Sequence, residues 1–361
     1  MYFNFSGYNL YQIRRIAMFS DGTGNALRLF CCEFDVPNTW YHWKEFDYSF
    51  DESNEYVFFR LNSRSKTFIR ANRKFSQAVI SKNFDKFDLL SLLFYVYRYY
   101  LIRQGNVSAH GAVVVNSGQG ILFCGVSGAG KSTQANLWCE HTNSWCLNYD
   151  KPSVIFDKND IFVAGSPWSG KEDRFIKHKV PLKAIVFVNK DSDNRIYQLT
   201  QAEAYALVHL NYMTFPICDE ISDEYDDIIM KLISSVPVYS LHATISEEAV
   251  ETTYNELFHM NKYLEEKGRK KVMKIREGFK LRQVADEWIV IPRGAHALSF
   301  NGAVLLNETG AFIYKKLELG ITLEQMVAEV ASEYLLELEV AKRDVMMFVD
   351  MLKNEGMLED E

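Results

Sequence analysis

The run ILFCGVSGAGKSTQANLWCE, residues 121–140, decides the fold of the middle of the chain. Four apolar residues lead straight into a glycine-rich loop, and helical spacing begins at Lys131. Gly125-x-x-x-x-Gly130-Lys131-Ser132 is the spacing of a P-loop. A polyphosphate loses water when it binds. Backbone N–H groups can replace that water only where the chain curls tightly, which glycine allows. The following helix adds its free N–H groups and the positive end of its dipole. The candidate nucleotide-binding set is Gly125, Val126, Ser127, Gly128, Ala129, Gly130, Lys131, Ser132 and Thr133. Lys131 can reach the outer phosphates and the Ser132 hydroxyl can ligate Mg²⁺, so ATP and Mg²⁺ are the expected cofactors. The strand before and the amphipathic helix after separate this motif from a chance glycine turn. The motif does not name a reaction, because GTPases, ATPases and small-molecule kinases share it.

Outward from the loop, residues 85–261 alternate strands and helices, the signature of an α/β layer. A helix is expected at about 86–103 and strands at 111–116, 121–125, 145–150, 153–157, 160–165, 184–189 and 238–241. Further helices are expected near 200–214, 222–234 and 246–261. Residues 1–84 are rich in Phe, Tyr and Asn with short alternating stretches, and read as a small β-rich module. Residues 262–274, KYLEEKGRKKVMK, break the periodicity and hold six Lys or Arg, which reads as a basic linker or a partner-binding patch. Residues 275–361 form a complete small domain of three strands and three helices. Asn307 is a candidate N-cap, Thr322-x-x-Gln325 a capping box, and Gly356 a C′ residue.

The 361 residues suffice for two or three domains. A net charge of −7 argues against a nucleic-acid footprint. The most apolar run, 89–102, is too short to span a bilayer and carries Arg98. No secretory leader is apparent, and the six cysteines show no C-x-x-C or zinc spacing, so a cytoplasmic protein with reduced thiols is expected.

The segment SAHGAVVVNSGQGILFCGVSGAGKST, residues 108–133, resembles the HPr kinase/phosphorylase family and its phosphoenolpyruvate-carboxykinase-like relatives. There a His-Gly pair opens the strand before the P-loop; here it is His110-Gly111. The family has two aspartates at the end of a later strand. Asp150, in CLNYDKPSV, falls on the first, which the resemblance makes the base that takes the acceptor hydroxyl proton and a metal ligand beside Ser132. Lys151 stands at the second. On residue type alone, Asp150 is a base or a turn residue before Pro152, and His110 an active-site group or a strand-end histidine. The loop GSPWSGKEDR, 165–174, resembles the one that closes over such sites. Lys171 or Arg174 could neutralise charge on the transferred phosphoryl group, and its tryptophan looks exposed.

Residues 279–361 resemble the PqqD family, the recognition elements that bind leader peptides of ribosomally made, later modified peptides (RiPPs). The matching stretches are LRQVADEWIV, GAVLLNETGAFIYKKLELGITLEQMVAEVASEY and AKRDVMMFVDMLKNEGML. The resemblance implies a compact winged-helix-like domain. A strand at Ala303, Val304, Leu305 and Leu306 would lie at a sheet edge and accept an extended peptide. The last helix has a core stripe at Ala341, Val345, Phe348, Val349 and Leu352. A second stripe, Val340, Asp344, Met347 and Met351, is the candidate peptide groove, with methionine suited to varied partners.

The two resemblances combine into one expectation. The chain is an α/β P-loop kinase with a β-rich N-terminal module and a C-terminal PqqD-like domain. It captures a precursor peptide and phosphorylates a Ser or Thr on it. Two alternatives stay open: a nucleotide-gated chaperone that presents the precursor to another RiPP-modifying enzyme, and a small-molecule kinase with a regulatory PqqD-like domain.

Overall fold

The computed structural model describes residues 27–43, 46–170, 176–212, 218–258, 272–284, 287–292 and 304–359. In the N-terminal region the described strands are β1 (Arg28–Cys31), β2 (Tyr41–Trp43), β3 (Phe46–Phe50), β4 (Tyr56–Arg60), β5 (Ile69–Asn72) and β6 (Gln77–Ile80). They form one sheet in the order β1-β6-β5-β4-β3-β2, antiparallel from β2 to β6, with β1 parallel to β6. Helix α1 (Lys86–Arg103) follows, with Asp85 as N-cap accepting from the N–H groups of Phe87 and Asp88.

Helix α1 explains why residues 27–84 are not a module on their own. Tyr99 stacks on Phe59 and Phe75 at 5.9 and 4.9 Å, and Tyr95 lies 4.4 Å from Phe46. Another face of α1 meets the central sheet, where the Tyr97 hydroxyl lies 2.9 Å from Ser153 Oγ. The boundary expected at 84/85 therefore falls inside a shared core, and the described residues up to Val113 belong to one compact unit with the described residues of Gly120–Ala135 and Leu147–Thr244. A second unit takes in Val114–Gln119, Asn136–Cys146 and the described residues from Ile245 onward.

The central sheet holds β7 (Val107–Ser108), β8 (Gly111–Asn116), β9 (Gln119–Cys124), β10 (Ser144–Asn148), β11 (Ser153–Asp157), β12 (Asp160–Ala164), β13 (Lys179–Lys190), β14 (Arg195–Gln198) and β15 (Val238–Ala243). Its helices are α2 (Lys131–His141), α3 (Gln201–Tyr212), α4 (Asp219–Ser235) and α5 (Glu247–Phe258). The order is β10-β8-β9-β13-β12-β11-β7, with β15 on β13 and β14 on β15. Strand β13 runs parallel to β9 and β15 but antiparallel to β12. Ser117 (φ 48°) and Gly118 (φ 73°) are both left-handed, the geometry of a type I′ turn between β8 and β9. Strand β8 is buried along its whole length and β9 nearly so, which is why both read as continuous apolar runs rather than alternating ones.

The C-terminal region contains β16 (Val272–Met273), β17 (Phe279–Val284), β18 (Glu287–Pro292), β19 (Val304–Leu306), α6 (Glu308–Leu319), β20 (Ile321–Thr322), α7 (Leu323–Glu333) and α8 (Leu338–Asn354). Strands β17-β18-β19 form an antiparallel sheet and β16 pairs with β20. Of the stretch 262–274 expected as a basic linker, Val272 and Met273 form a strand paired with Thr322 and Ile321; residues 262–271 lie outside the described residues. Asn307 Oδ1 accepts from Gly310 N–H at 2.8 Å, Thr322 and Gln325 close a reciprocal capping box, and Gly356 has φ 67°. Tyr314, Met326, Val330, Ala341, Val345 and Leu352 centre the core of this region.

Candidate functional site

The loop lies at the carboxyl end of β9, beside its parallel neighbour β13. Gly125, Gly128 and Gly130 take φ values of 139°, 81° and 104°. A Cβ on Gly125 would stand 2.9 Å from the Val188 carbonyl oxygen of β13, so only glycine lets the loop pass the neighbouring strand. Val126, Ser127, Gly128 and Ser132 are exposed, Gly125, Gly130 and Thr133 half-buried, and Ala129 and Lys131 buried. Lys131 Nζ donates to the Gly125 and Val126 carbonyls at 2.9 and 3.1 Å. Burial holds its pKa below the ordinary lysine range, with Cys124 and Asp150 opposing. Burial pushes the Cys124 thiol up to about 12, so it serves as a packing group.

His110 and Asp150 come together. His110 Nε2 lies 3.4 Å from Asp150 Oδ1, and Lys151 Nζ lies 3.5 Å from the same oxygen. The backbone closes the pair, since Gly111 N–H donates to the Asp150 carbonyl at 2.9 Å and Ala109 N–H to that of Pro152 at 3.0 Å. Burial first, then the cations of Lys151 and Lys131, push the His110 pKa down to about 4, against the opposite pull of Asp150. The imidazole is neutral near pH 7.

Two asparagines that the sequence reading passed over position this pair. Asn148 Oδ1 accepts from the N–H groups of Asp150 and Lys151, both at 3.0 Å, while its Nδ2 donates to the Ser166 carbonyl at 3.2 Å. Asn211, near the end of α3, donates to the His110 carbonyl at 3.0 Å and accepts from Gly125 N–H at 3.4 Å. Asn211 thus ties the start of the loop to the residue that faces Asp150. Asn148 did carry a signal. It interrupts the apolar run WCLNYD, and a polar side chain buried in a strand must find partners.

The tryptophan of loop 165–174 is not exposed. Trp168 is half-buried, stacks on Tyr97 at 5.2 Å, and donates its indole N–H to the Leu90 carbonyl at 3.1 Å. Its carbonyl accepts Lys151 N–H at 3.0 Å, so the loop braces the Asp150 turn from behind. Lys171 and Arg174 lie outside the described residues, as does Ala303. Among the described residues no group of three or more His, Cys, Asp or Glu is arranged to hold a metal.

Among the described residues of the C-terminal region β19 pairs with β18 only and lies at the edge of its sheet, with Leu305 63% exposed, Leu306 buried and Val304 half-buried on the core. Along α8 the core stripe is as expected at Ala341, Val345, Val349 and Leu352; Phe348 packs against it while half-buried. Val340, Asp344, Met347 and Met351 are all half-buried. Met351 packs against the core and Asp344 pairs with Arg343 at 2.8 Å, which leaves Val340 and Met347 as the apolar part of that stripe.

Residues 78–259, just over half of the chain, match the family model described as SynChlorMet cassette protein ScmC. The chain belongs to the ScmC family. The match runs from β6 to the end of α5, so the ScmC region contains the loop, His110, Asp150 and both asparagines. Residues 288–358 match the PqqD family, described as coenzyme PQQ synthesis protein D, and form a PqqD-like domain in this ScmC-family chain. No match was found among the curated proteins. Among solved structures, TbiB1 in complex with the TbiA(beta) leader peptide is 25% identical, with 24% of this chain and 96% of that one covered and a TM-score of 0.22. Lasso peptide synthetase B1 complexed with the leader peptide is 25% identical, covers 24% and 98%, and has a TM-score of 0.22. The Hpr(Ser) kinase/phosphatase from Coxiella burnetii is 9% identical, covers 41% and 95%, and has a TM-score of 0.26. At scores this low, the fold of the ScmC-family chain rests on its own geometry and on the two family matches. No helix among the described residues is long and apolar enough to cross a membrane.

Proposed function

We propose that this chain is an ATP-dependent P-loop kinase that holds a ribosomally made precursor peptide through its PqqD-like domain and phosphorylates a Ser or Thr hydroxyl on it. The observation that carries the proposal is the Asp150 carboxylate with a neutral imidazole 3.4 Å away, linked through Asn211 to the first glycine of the loop. The residues present suit a nucleotide. Three left-handed glycines curve the loop, its tip is exposed, nothing stands within 4 Å of where a Cβ on Gly128 would be, and the only charge inside it is cationic. Gly125–Thr133 would hold the phosphates, and Lys131 would exchange its two loop carbonyls for phosphate oxygens. Ser132 and Asp150 would hold Mg²⁺, which supplies charge neutralisation on the phosphates when bound.

Within this reading, His110 presents its Nε2 side to Asp150 and steers the carboxylate. Asp150 takes the proton of the acceptor hydroxyl as that oxygen bonds to the γ-phosphorus and ADP leaves. Lys151 lies where it can offset charge gathering on the phosphoryl group. For peptide capture, β19 offers an unpaired edge and α8 offers Val340 and Met347. Tethering raises the local acceptor concentration to about millimolar for a short flexible linker, so a weak acceptor site suffices. Labelled ATP incubated with the chain and a precursor peptide encoded beside its gene should leave phosphate on the peptide. ATP binding without transfer would overturn the kinase reading.

One observation favours a second reading. A lysine 3.5 Å from Asp150 occupies the place where the resemblance expects a second carboxylate. A chain that binds nucleotide without transferring phosphate, and presents the precursor to another modifying enzyme, fits that substitution. The same labelling experiment separates the two.

A further inference from the structure

Helix α8 has a face that the proposed chemistry does not use. Lys342, Met346 and Asp350 follow one another at single-turn spacing on it. Met346 is 6% exposed yet lies outside the core cluster of the C-terminal region, and Asp350 is 4% exposed. Lys342 Nζ donates to the carbonyls of Cys139 and of Thr142, the latter at 3.3 Å. Asp350 accepts the Trp145 indole N–H at 3.3 Å and the backbone N–H of Gly118. All of these residues belong to the second compact unit.

The partners sit at specific places in the chain. Cys139 is in the last turn of α2, and Thr142 follows that helix. Gly118 is in the turn that opens β9. Strand β9 enters the loop and α2 leaves it, so Gly118, Cys139 and Thr142 lie at the far ends of the elements that flank the loop, while Trp145, in β10, holds the Asp350 carboxylate in place. An ammonium group on the last carbonyls of a helix is also favourably placed against its dipole.

We propose that Lys342 and Asp350 are positioning residues for the loop at 125–131. The last helix of the PqqD-like domain anchors the rear of both flanking elements, and through them holds the loop in its curled form. The loop is one α-helix length away from Lys342's contacts, about 16 Å for eleven residues. The anchoring therefore acts by restraining rigid elements rather than through the charge itself, which fades within a turn. This rests on the reading of the loop as a nucleotide site, but the restraint is measurable without nucleotide.

The test uses the full chain with Lys342→Met, Lys342→Arg and Trp145→Phe, the last removing the indole donor while keeping the ring. Hydrogen–deuterium exchange is followed in peptides spanning 121–135, and Mg²⁺ with fluorescent ADP is titrated at a temperature well below unfolding. Lys342→Met and Trp145→Phe should exchange several-fold faster at 125–131 and bind ADP roughly three- to ten-fold more weakly, with Lys342→Arg near wild type on both. Unchanged loop exchange in both disruptive variants, with faster exchange confined to 338–354, overturns the proposal whether or not nucleotide binds. Faster loop exchange in a chain that never binds ADP supports the anchoring and removes the nucleotide reading instead.

Discussion

The loop at 125–133 and helix α8 place their functional residues in opposite ways. The loop is a contiguous motif whose conformation follows from its glycines and from the strand and helix on either side. Helix α8 carries three stripes within seventeen residues: one in the core of its own domain, one half-buried and aligned with the proposed groove, and one bound to Cys139, Thr142, Trp145 and Gly118. A change in the loop should remove one function cleanly. A change in α8 is felt by whichever stripe it touches, and often by two.

The largest expected effect is in the loop. Lys131→Ala should abolish Mg²⁺-nucleotide binding by calorimetry while the circular dichroism of the chain stays unchanged, because Lys131 bonds only loop carbonyls here. Retained affinity would break the contrast at its root. Next is Asp150→Asn, which keeps the shape but removes the basic oxygen. Transfer to the precursor should slow by about 10²–10⁴-fold with nucleotide affinity preserved. Loss of nucleotide binding instead would assign Asp150 mainly to the metal.

On α8, Met346→Ala should lower unfolding stability by about 2–3 kcal/mol in a denaturant titration, as expected for truncating a buried side chain. For the same reason, removing residues 275–361 is not a clean test of peptide capture, since it strips Lys342 and Asp350 from Cys139 and Trp145. Met347→Glu is the sharper probe. It should weaken binding of a labelled precursor peptide by about ten-fold in fluorescence anisotropy, with stability changed by less than about 1 kcal/mol. Met351 is unsuitable because it packs against the core.

The smallest effect is electrostatic. His110 is held neutral, its pKa pushed from 6.5 to about 4. Below pH 6.5 the unfolded chain binds this proton more readily than the folded one. The site's contribution is therefore complete above pH 6.5 and is lost as pH falls toward 4. His110→Gln should show a smaller fall in melting temperature between pH 7 and pH 5 than wild type. An equal fall would place the pH sensitivity elsewhere.

Much of this molecule is legible in its sequence. Helix α1 and strands β8 and β11 begin and end at the expected residues, and α2 starts at Lys131. Asn307, Thr322 with Gln325, and Gly356 cap helices as read, since caps and positive-φ glycines act through neighbours three or four residues away. The pairing of His110 with Asp150 is not legible in the sequence, since forty residues separate them in the chain; the family resemblance names each only as an active-site candidate. Asn211 gave no local sign, being one polar residue near the end of a helix.

What only tertiary structure decided is which surface each amphipathic element turns toward another. Helix α1 is buried on more than one face, so the N-terminal sheet and the central sheet share it, and the change of pattern near residue 85 does not mark where one compact unit ends. The Lys342–Met346–Asp350 stripe reads as a solvated face because two of its three residues are charged. Its burial depends on carbonyls and an indole N–H some two hundred residues earlier in the chain. Local motifs are set by sterics and hydrogen bonds within a turn or two. A docked polar face is set by partners that the fold alone brings within 3–4 Å.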